Sequence, residues 1–227
     1  MTQDTAVVIG VGPGLGWHLC ARFAAEGLRV VGAARSRDKV ERLIAQSGRR
    51  GIEAVACDAA DAASVTALFE ASGPARLVVY NAGKMVRGSA LELSPAEVES
   101  AWRVICLGGL HTAQAALPGM LELGGGTLIY TGATASLRGG AGFAGFALSK
   151  FGLRALAQSL AREFGPQGIH VAHTVIDGQI ASARHEGRDP ATLLKPEAIA
   201  EAYWQLHRQD PTAWSSEIDL RPAAERW

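Results

Sequence analysis

Basic clusters, long apolar runs and paired cysteines are all scarce in this chain, and each shortage removes a class of function. Lys plus Arg equals Asp plus Glu at 22 each, the formal net charge is zero, and no basic run exceeds Arg49-Arg50. That leaves no electrostatic footprint for a nucleic acid or an anionic membrane, so the expected partner is a small molecule. Cys20, Cys57 and Cys106 are odd in number and far apart, which argues against both a disulfide framework and a zinc site. His18, His111, His170, His173, His185 and His207 share no ligand spacing, and no metal is expected. No stretch of about 18 uninterrupted apolar residues occurs. Met1-Thr2-Gln3-Asp4 runs straight into an apolar strand without the charged and apolar regions of a signal peptide. A cytoplasmic protein is expected.

What is present is enough apolar surface for a large core. Of 227 residues, 48% are hydrophobic and 19% charged, a balance that offsets the conformational entropy lost on folding. One domain spanning 1–227 is expected. Short β-branched runs at 6–9, 29–31, 53–56, 77–80, 127–130 and 169–172 alternate with segments of helical period around 14–26, 37–48, 61–72, 95–122 and 142–165. Near-continuous apolar strands imply a sheet covered on both faces. The pattern predicts an α/β doubly wound Rossmann fold with a mostly parallel, seven-stranded sheet. Ser94-Pro95 with Glu97 marks one helix start, and Gly165-Pro166-Gln167-Gly168 marks a helix end. Beyond residue 178 only a helix near Pro196–His207 and a last strand at Glu217–Leu220 stand out.

The first strand leads into Gly10-Val11-Gly12-Pro13-Gly14-Leu15-Gly16 and then a helix, the context that a dinucleotide fingerprint requires. Leu15 stands where the common G-x-G-x-x-G spacing would put its third glycine, whereas G-x-x-x-G-x-G fits Gly10, Gly14 and Gly16. Glycines allow unusual φ and close backbone approach, and the helix N-terminus offers N–H groups to a pyrophosphate. An NAD site would carry an acid at the end of the second strand. Here Arg35-Ser36-Arg37 follows that strand, and a guanidinium fork suits a 2′-phosphate, which favours NADP(H) over NAD(H). The alternative is a solvated helix start, with Asp38 serving the helix dipole.

With G-x-x-x-G-x-G in place, Cys57-Asp58 after the third strand, Asn81-Ala82-Gly83 after the fourth and Ser149-Lys150 in a long later helix, residues 5–182 resemble the short-chain dehydrogenase/reductase family. The resemblance implies that Asp58 receives the adenine amino group and that Asn81, Ala82 and Gly83 pass close to the cofactor. It also implies that the backbone at Gly178 and Ile180 meets the carboxamide, although Asp177 takes the family's usual proline position. The family moves a hydride between nicotinamide and a carbonyl or alcohol carbon. A tyrosine exchanges the proton, a lysine four residues later holds the ribose, a serine binds the substrate oxygen and an asparagine extends a water relay. Lys150 matches the lysine, but Phe146 stands in the tyrosine position, Ala133 in the serine position and Cys106 in the asparagine position.

Three explanations stay open. The chemistry is relocated to Thr134, Ser136, Tyr130 or a water; or the substrate is a polarised C=C or C=N bond that takes its proton from solvent; or the protein binds its nucleotide without turnover. Lys150 and Thr134 are the catalytic candidates. The leading expectation is an NADP(H)-dependent oxidoreductase of atypical catalytic composition, and its rival is an inactive NADP(H)-binding sensor or scaffold. Apolar and small residues on helices 95–122 and 142–165 (Ala113, Ala115, Ala116, Leu153, Ala155, Leu156, Leu160), together with the family resemblance, lead to the expectation of a homodimer or homotetramer.

Overall fold

The computed structural model describes residues 3–224. The chain alternates strand and helix: β1 (Thr5–Ile9), α1 (Leu15–Ala25), β2 (Arg29–Ala34), α2 (Arg37–Ser47), β3 (Ile52–Ala56), α3 (Ala62–Ser72) and β4 (Leu77–Tyr80). It continues with α4 (Pro95–Trp102), a π turn (Arg103–Leu107), α5 (Gly108–Glu122), β5 (Gly126–Thr131), α6 (Ala144–Phe164) and β6 (Ile169–Ile176). Two short strands, β7 (Gln179–Ile180) and β8 (Leu193–Leu194), precede α7 (Pro196–His207) and β9 (Glu217–Leu220). The main sheet has seven strands in the order β3-β2-β1-β4-β5-β6-β9, every pair parallel. The expected fold is therefore the observed one.

Successive side chains of a strand point to opposite faces, and β1 displays the consequence. Val7 and Ile9 enter a core shared with α3, α5 and α6 through Leu68, Ala113, Met120, Leu153 and Leu160. Ala6 and Val8 enter the other core with α1, α2 and α7 through Leu19, Phe23, Val40, Ile199 and Leu206. Because both faces are covered, the strands read as apolar runs rather than alternating ones. The chain leaves β3 at one edge and re-enters on the far side of β1 as β4. At that switch point the connections diverge, and a crevice opens beyond the carboxyl ends of β1 and β4.

One helix boundary and one helix interior differ from the sequence-based expectation. Gly142 has φ +77°, outside the right-handed helical region, so α6 starts at Ala144. The helical run 95–122 is continuous but widens into the π turn at Arg103–Leu107. There the Tyr80 hydroxyl donates to the Val104 carbonyl, a tertiary contact that no local pattern announces. By length and composition this helix could cross a membrane, yet its Ile105, Ala113, Ala116 and Met120 pack against the sheet.

Candidate functional site

The first βα turn is drawn tightly into the sheet. The N–H groups of Gly10 and Val11 donate to the Ala33 carbonyl at 2.9 and 3.0 Å, and Asn81 Nδ2 donates to the Gly10 carbonyl at 2.9 Å. Gly10 has φ +95°, and a Cβ there would sit 2.5 Å from the Ala82 nitrogen; a Cβ on Gly16 would sit 2.7 Å from the Gly10 carbonyl oxygen. Neither position has room for a side chain. Gly12 and Gly14, by contrast, face open space. The four glycines thus divide into two that let backbones cross and two that leave the mouth of a cleft clear. Leu15 buries its side chain in the core with α7 and brings only its backbone to the first turn of α1, where N–H groups lack intrahelical partners.

That cleft has a volume of about 720 Å³ and is walled by Gly10, Gly12, Pro13, Arg35, Ser36, Lys39, Asp58, Asn81, Ala82 and Gly83. It brings together seven of the fourteen sequence-derived cofactor residues, Gly10, Arg35, Ser36, Asp58, Asn81, Ala82 and Gly83, whereas Gly14, Leu15, Gly16, Arg37, Lys150, Gly178 and Ile180 do not line it; it adds Gly12 and Lys39, which were not among the predicted ligands. Lys39 lies one turn beyond Ser36, the residue that precedes α2, so helical spacing was the signal that could have found it. Arg37 is engaged elsewhere, its guanidinium paired with Glu41 at 2.7 Å. Asp58 is exposed, with Oδ1 accepting from the Ala60 N–H at 3.0 Å. An open glycine cradle at a helix start, with cations at one end and a carboxylate beside them, suits the phosphates and adenosine of a dinucleotide.

Beyond the cleft, at the carboxyl ends of β5 and β6, a second cavity of about 520 Å³ is lined by Ala133, Thr134, Phe143, Phe146, Ile176, Asp177, Gly178 and other residues. Ile180 lies just past it on β7, half-buried against the core that holds α7. Lys150 projects from α6 beneath this region, buried, with Nζ donating to the Thr131 carbonyl at 2.6 Å. Its Nζ is 5.7 Å from the centroid of the Phe146 ring. Burial without a carboxylate partner pushes the Lys150 ammonium down to about 8 from its ordinary 10.5.

The hydroxyls near this cavity are committed to neighbours. Thr134 donates to Asp177, whose carboxylate also receives Arg221 and lies 3.8 Å from Arg138. A carboxylate supplies only acceptor sites, so the one proton of Thr134 is directed at Asp177. Ser136 is fully buried, and its Oγ accepts from the Ala133 N–H at 3.1 Å. Tyr130 donates to the Gly109 carbonyl at 3.1 Å, and burial raises its phenol well above the usual range. Tyr203 donates to Thr131 Oγ1 at 2.9 Å but belongs to the core on the other face of the sheet from Phe146. Cys106 sits in the π turn and fills the space that a side chain at Gly152 would need, its Sγ 2.7 Å from where a Cβ on that glycine would stand.

Residues 4–189 match the short chain dehydrogenase family model, and the chain belongs to that family of oxidoreductases. It is similar in structure to a short-chain dehydrogenase from Rhodopseudomonas palustris, at 38% identity and a TM-score of 0.87 over 98% of this chain and 100% of that one. An alcohol dehydrogenase from the archaeon Thermococcus sibiricus, complexed with 5-hydroxy-NADP, matches at 25% identity and a TM-score of 0.86 over 99% of both chains. An uncharacterised oxidoreductase of Staphylococcus aureus is 28% identical over 98% of each chain. The seven-stranded sheet and nucleotide cleft are those of this family.

Proposed function

We propose that the protein is an NADP(H)-dependent oxidoreductase that moves a hydride to or from a small organic substrate without the family's tyrosine and serine. The observation that carries this is the second cavity, lined by Gly178 and by Phe146, whose ring lies 5.7 Å from Lys150 Nζ. Its volume of about 520 Å³ gives room for a substrate beside a nicotinamide held at Gly178. In this assignment Gly14, Leu15 and Gly16 offer backbone N–H groups to the pyrophosphate, Gly10, its own N–H engaged by the Ala33 carbonyl, lets the turn pass close beneath it, and Asn81, Ala82 and Gly83 form the cleft wall. Asp58 receives the adenine amino group, Lys150 the nicotinamide ribose, and the backbone of Gly178 and Ile180 the carboxamide. Arg35 and Ser36, with Lys39 rather than Arg37, receive the 2′-phosphate. The Thermococcus sibiricus relative bound to 5-hydroxy-NADP supports the choice of NADP(H) over NAD(H).

When bound, the nicotinamide supplies or accepts the hydride, and this chain's residues must manage the rest. Phe146 has no proton to give and presents an aromatic face to the cavity. Ala133 has no donor for a developing oxyanion. Thr134, its proton directed at Asp177, can accept a hydrogen bond from substrate but cannot also donate one. This favours an enone or a protonated C=N bond over a simple ketone: hydride added to the β-carbon of an enone leaves an enolate, far less basic than an alkoxide, which water protonates at carbon, and hydride added to an iminium leaves a neutral amine that needs no further proton. The committed hydroxyls and Phe146 also favour a second reading, a nucleotide-binding sensor or scaffold with no turnover. A screen of NADPH oxidation against ketone, enone and imine panels, with NADPH binding measured in parallel, separates the two. Turnover greatest on enones or imines is expected, and binding without turnover on any panel would favour the sensor.

We further infer a homodimer or homotetramer. Ala113, Ala116, Leu153 and Leu160 serve the core of the subunit itself. The exposed apolar residues on the outer side are Trp102, Leu148 and Phe151, which lie together across α4 and α6 and suit a helical interface.

A further inference from the structure

We propose that the second cavity takes a substrate bearing a carboxylate, held by Arg87, Arg138 and Arg188 at the end of the molecule remote from the reacting bond. This rests on the reading of that cavity as the substrate site. The three arginines line the same cavity although they come from three separate segments: after β4, after β5 and between β7 and β8. Their convergence is a product of the fold, in a chain whose formal net charge is zero.

Among the described residues the only acid lining the cavity is Asp177. Its carboxylate is buried and engaged by Thr134 and Arg221, with Arg138 at 3.8 Å. Positive charge is therefore in surplus. The Arg87 guanidinium stacks 4.2 Å from the Phe143 ring centroid, an arrangement that fixes the plane while leaving its N–H edge available. Arg188 donates to the amide oxygen of Gln179, a neutral partner that orients the guanidinium without cancelling it. Neither Arg87 nor Arg188 has a carboxylate partner among the described residues. The same cavity is lined by Phe143, half-buried, and by Phe146 and Ile176, both buried, an apolar floor for a hydrocarbon body beneath the exposed arginines. Charge at the mouth and hydrocarbon at the floor match an organic acid whose reducible bond lies over Phe146 and whose carboxylate meets the arginines.

The test is binding to the NADPH-loaded protein by ligand-observed saturation-transfer NMR, with 4-oxo-4-phenylbutanoate and its methyl ester as a matched pair. The acid should bind at least about tenfold more tightly than the ester, since charged hydrogen bonds contribute about that much. Its affinity should fall as sodium chloride is raised. Arg138→Gln and Arg188→Gln should each weaken the acid severalfold, and the triple variant with Arg87→Gln should remove the preference, with ester and NADPH affinities unchanged. Unchanged NADPH affinity also reports that each variant is folded. Equal affinity for acid and ester, an acid affinity indifferent to the triple change, or no binding of either compound at millimolar concentration would each overturn the proposal. If the unmodified protein fails to bind NADPH, the cofactor assignment falls, and the acid-to-ester comparison on the free protein still decides this one.

Discussion

Lys150 reaches from α6 to the Thr131 carbonyl at 2.6 Å, and burial alone, without a carboxylate, depresses its ammonium group to about 8. Between about 8 and the ordinary 10.5, the unfolded chain holds a proton that the fold has released. Stability of the free protein should therefore rise as pH climbs through that window, and the burial penalty should be complete below it. Lys150→Met should flatten this dependence and raise the melting temperature at neutral pH, by about 2–4 °C for each kcal/mol of penalty removed. NADPH affinity should fall in the same variant. Thermal melts from pH 7 to 10.5 and a cofactor titration check both; a lower melting temperature with unchanged NADPH affinity would leave Lys150 a purely structural residue.

Cofactor choice should follow the cations at the end of β2. NADPH should bind more tightly than NADH, and Arg35→Ala should remove most of that preference, a selective loss of about tenfold or more from one charged hydrogen bond. Lys39→Ala should add a smaller loss on NADPH, whereas Arg37→Ala should change little because Arg37 pairs with Glu41. Fluorescence titration of both cofactors against the four proteins is the measurement. Equal affinity of the unmodified protein for NADH and NADPH would refute the assignment.

The glycines of the first turn should separate into two classes. Gly10→Ala and Gly16→Ala drive a Cβ to 2.5 and 2.7 Å from backbone atoms, and both should destabilise strongly, beyond the roughly 1–3 kcal/mol of ordinary overpacking. Gly12→Ala and Gly14→Ala meet nothing within 4 Å, so they should melt near the parent temperature while weakening NADPH by filling the cradle. Melting curves and titrations on the four variants distinguish the classes.

Restoring the absent hydroxyls should raise ketone reduction. Ala133 and Phe146 line one cavity, so Ala133→Ser with Phe146→Tyr should exceed the product of the single changes, as expected of groups acting on the same oxygen. Steady-state rates at saturating NADPH on all four proteins give the coupling. Efficient ketone turnover by the unmodified protein would mean that another group supplies the proton, and Thr134→Val would be the first substitution to examine.

Assembly should depend on the outer side of α4 and α6. Leu148→Glu with Phe151→Glu places two charges on an exposed apolar surface and should shift the mass measured by light scattering at micromolar concentration towards the monomer, with the melt of the subunit core retained. A monomeric mass for the unmodified protein would remove the proposed interface.

Strand and helix order, the two-sided sheet and the phosphate turn follow from the sequence by itself, because alternation, apolar runs and glycine spacing are local consequences of backbone geometry. The place of Arg35 at the end of β2 was legible for the same reason, whereas roles for Asp58, Asn81 and Lys150 came only from the family resemblance. Only the tertiary structure decided that Thr134 spends its proton on Asp177, 43 residues away, and that Tyr130 and Ser136 turn to backbone partners. It also decided the π turn beside Tyr80, the division of the glycines into crossing and open positions, and the meeting of Arg87, Arg138 and Arg188 at one cavity. Hydrogen-bond direction, desolvation and convergence depend on which distant groups the fold brings within a few ångströms, and a linear pattern carries no record of that distance.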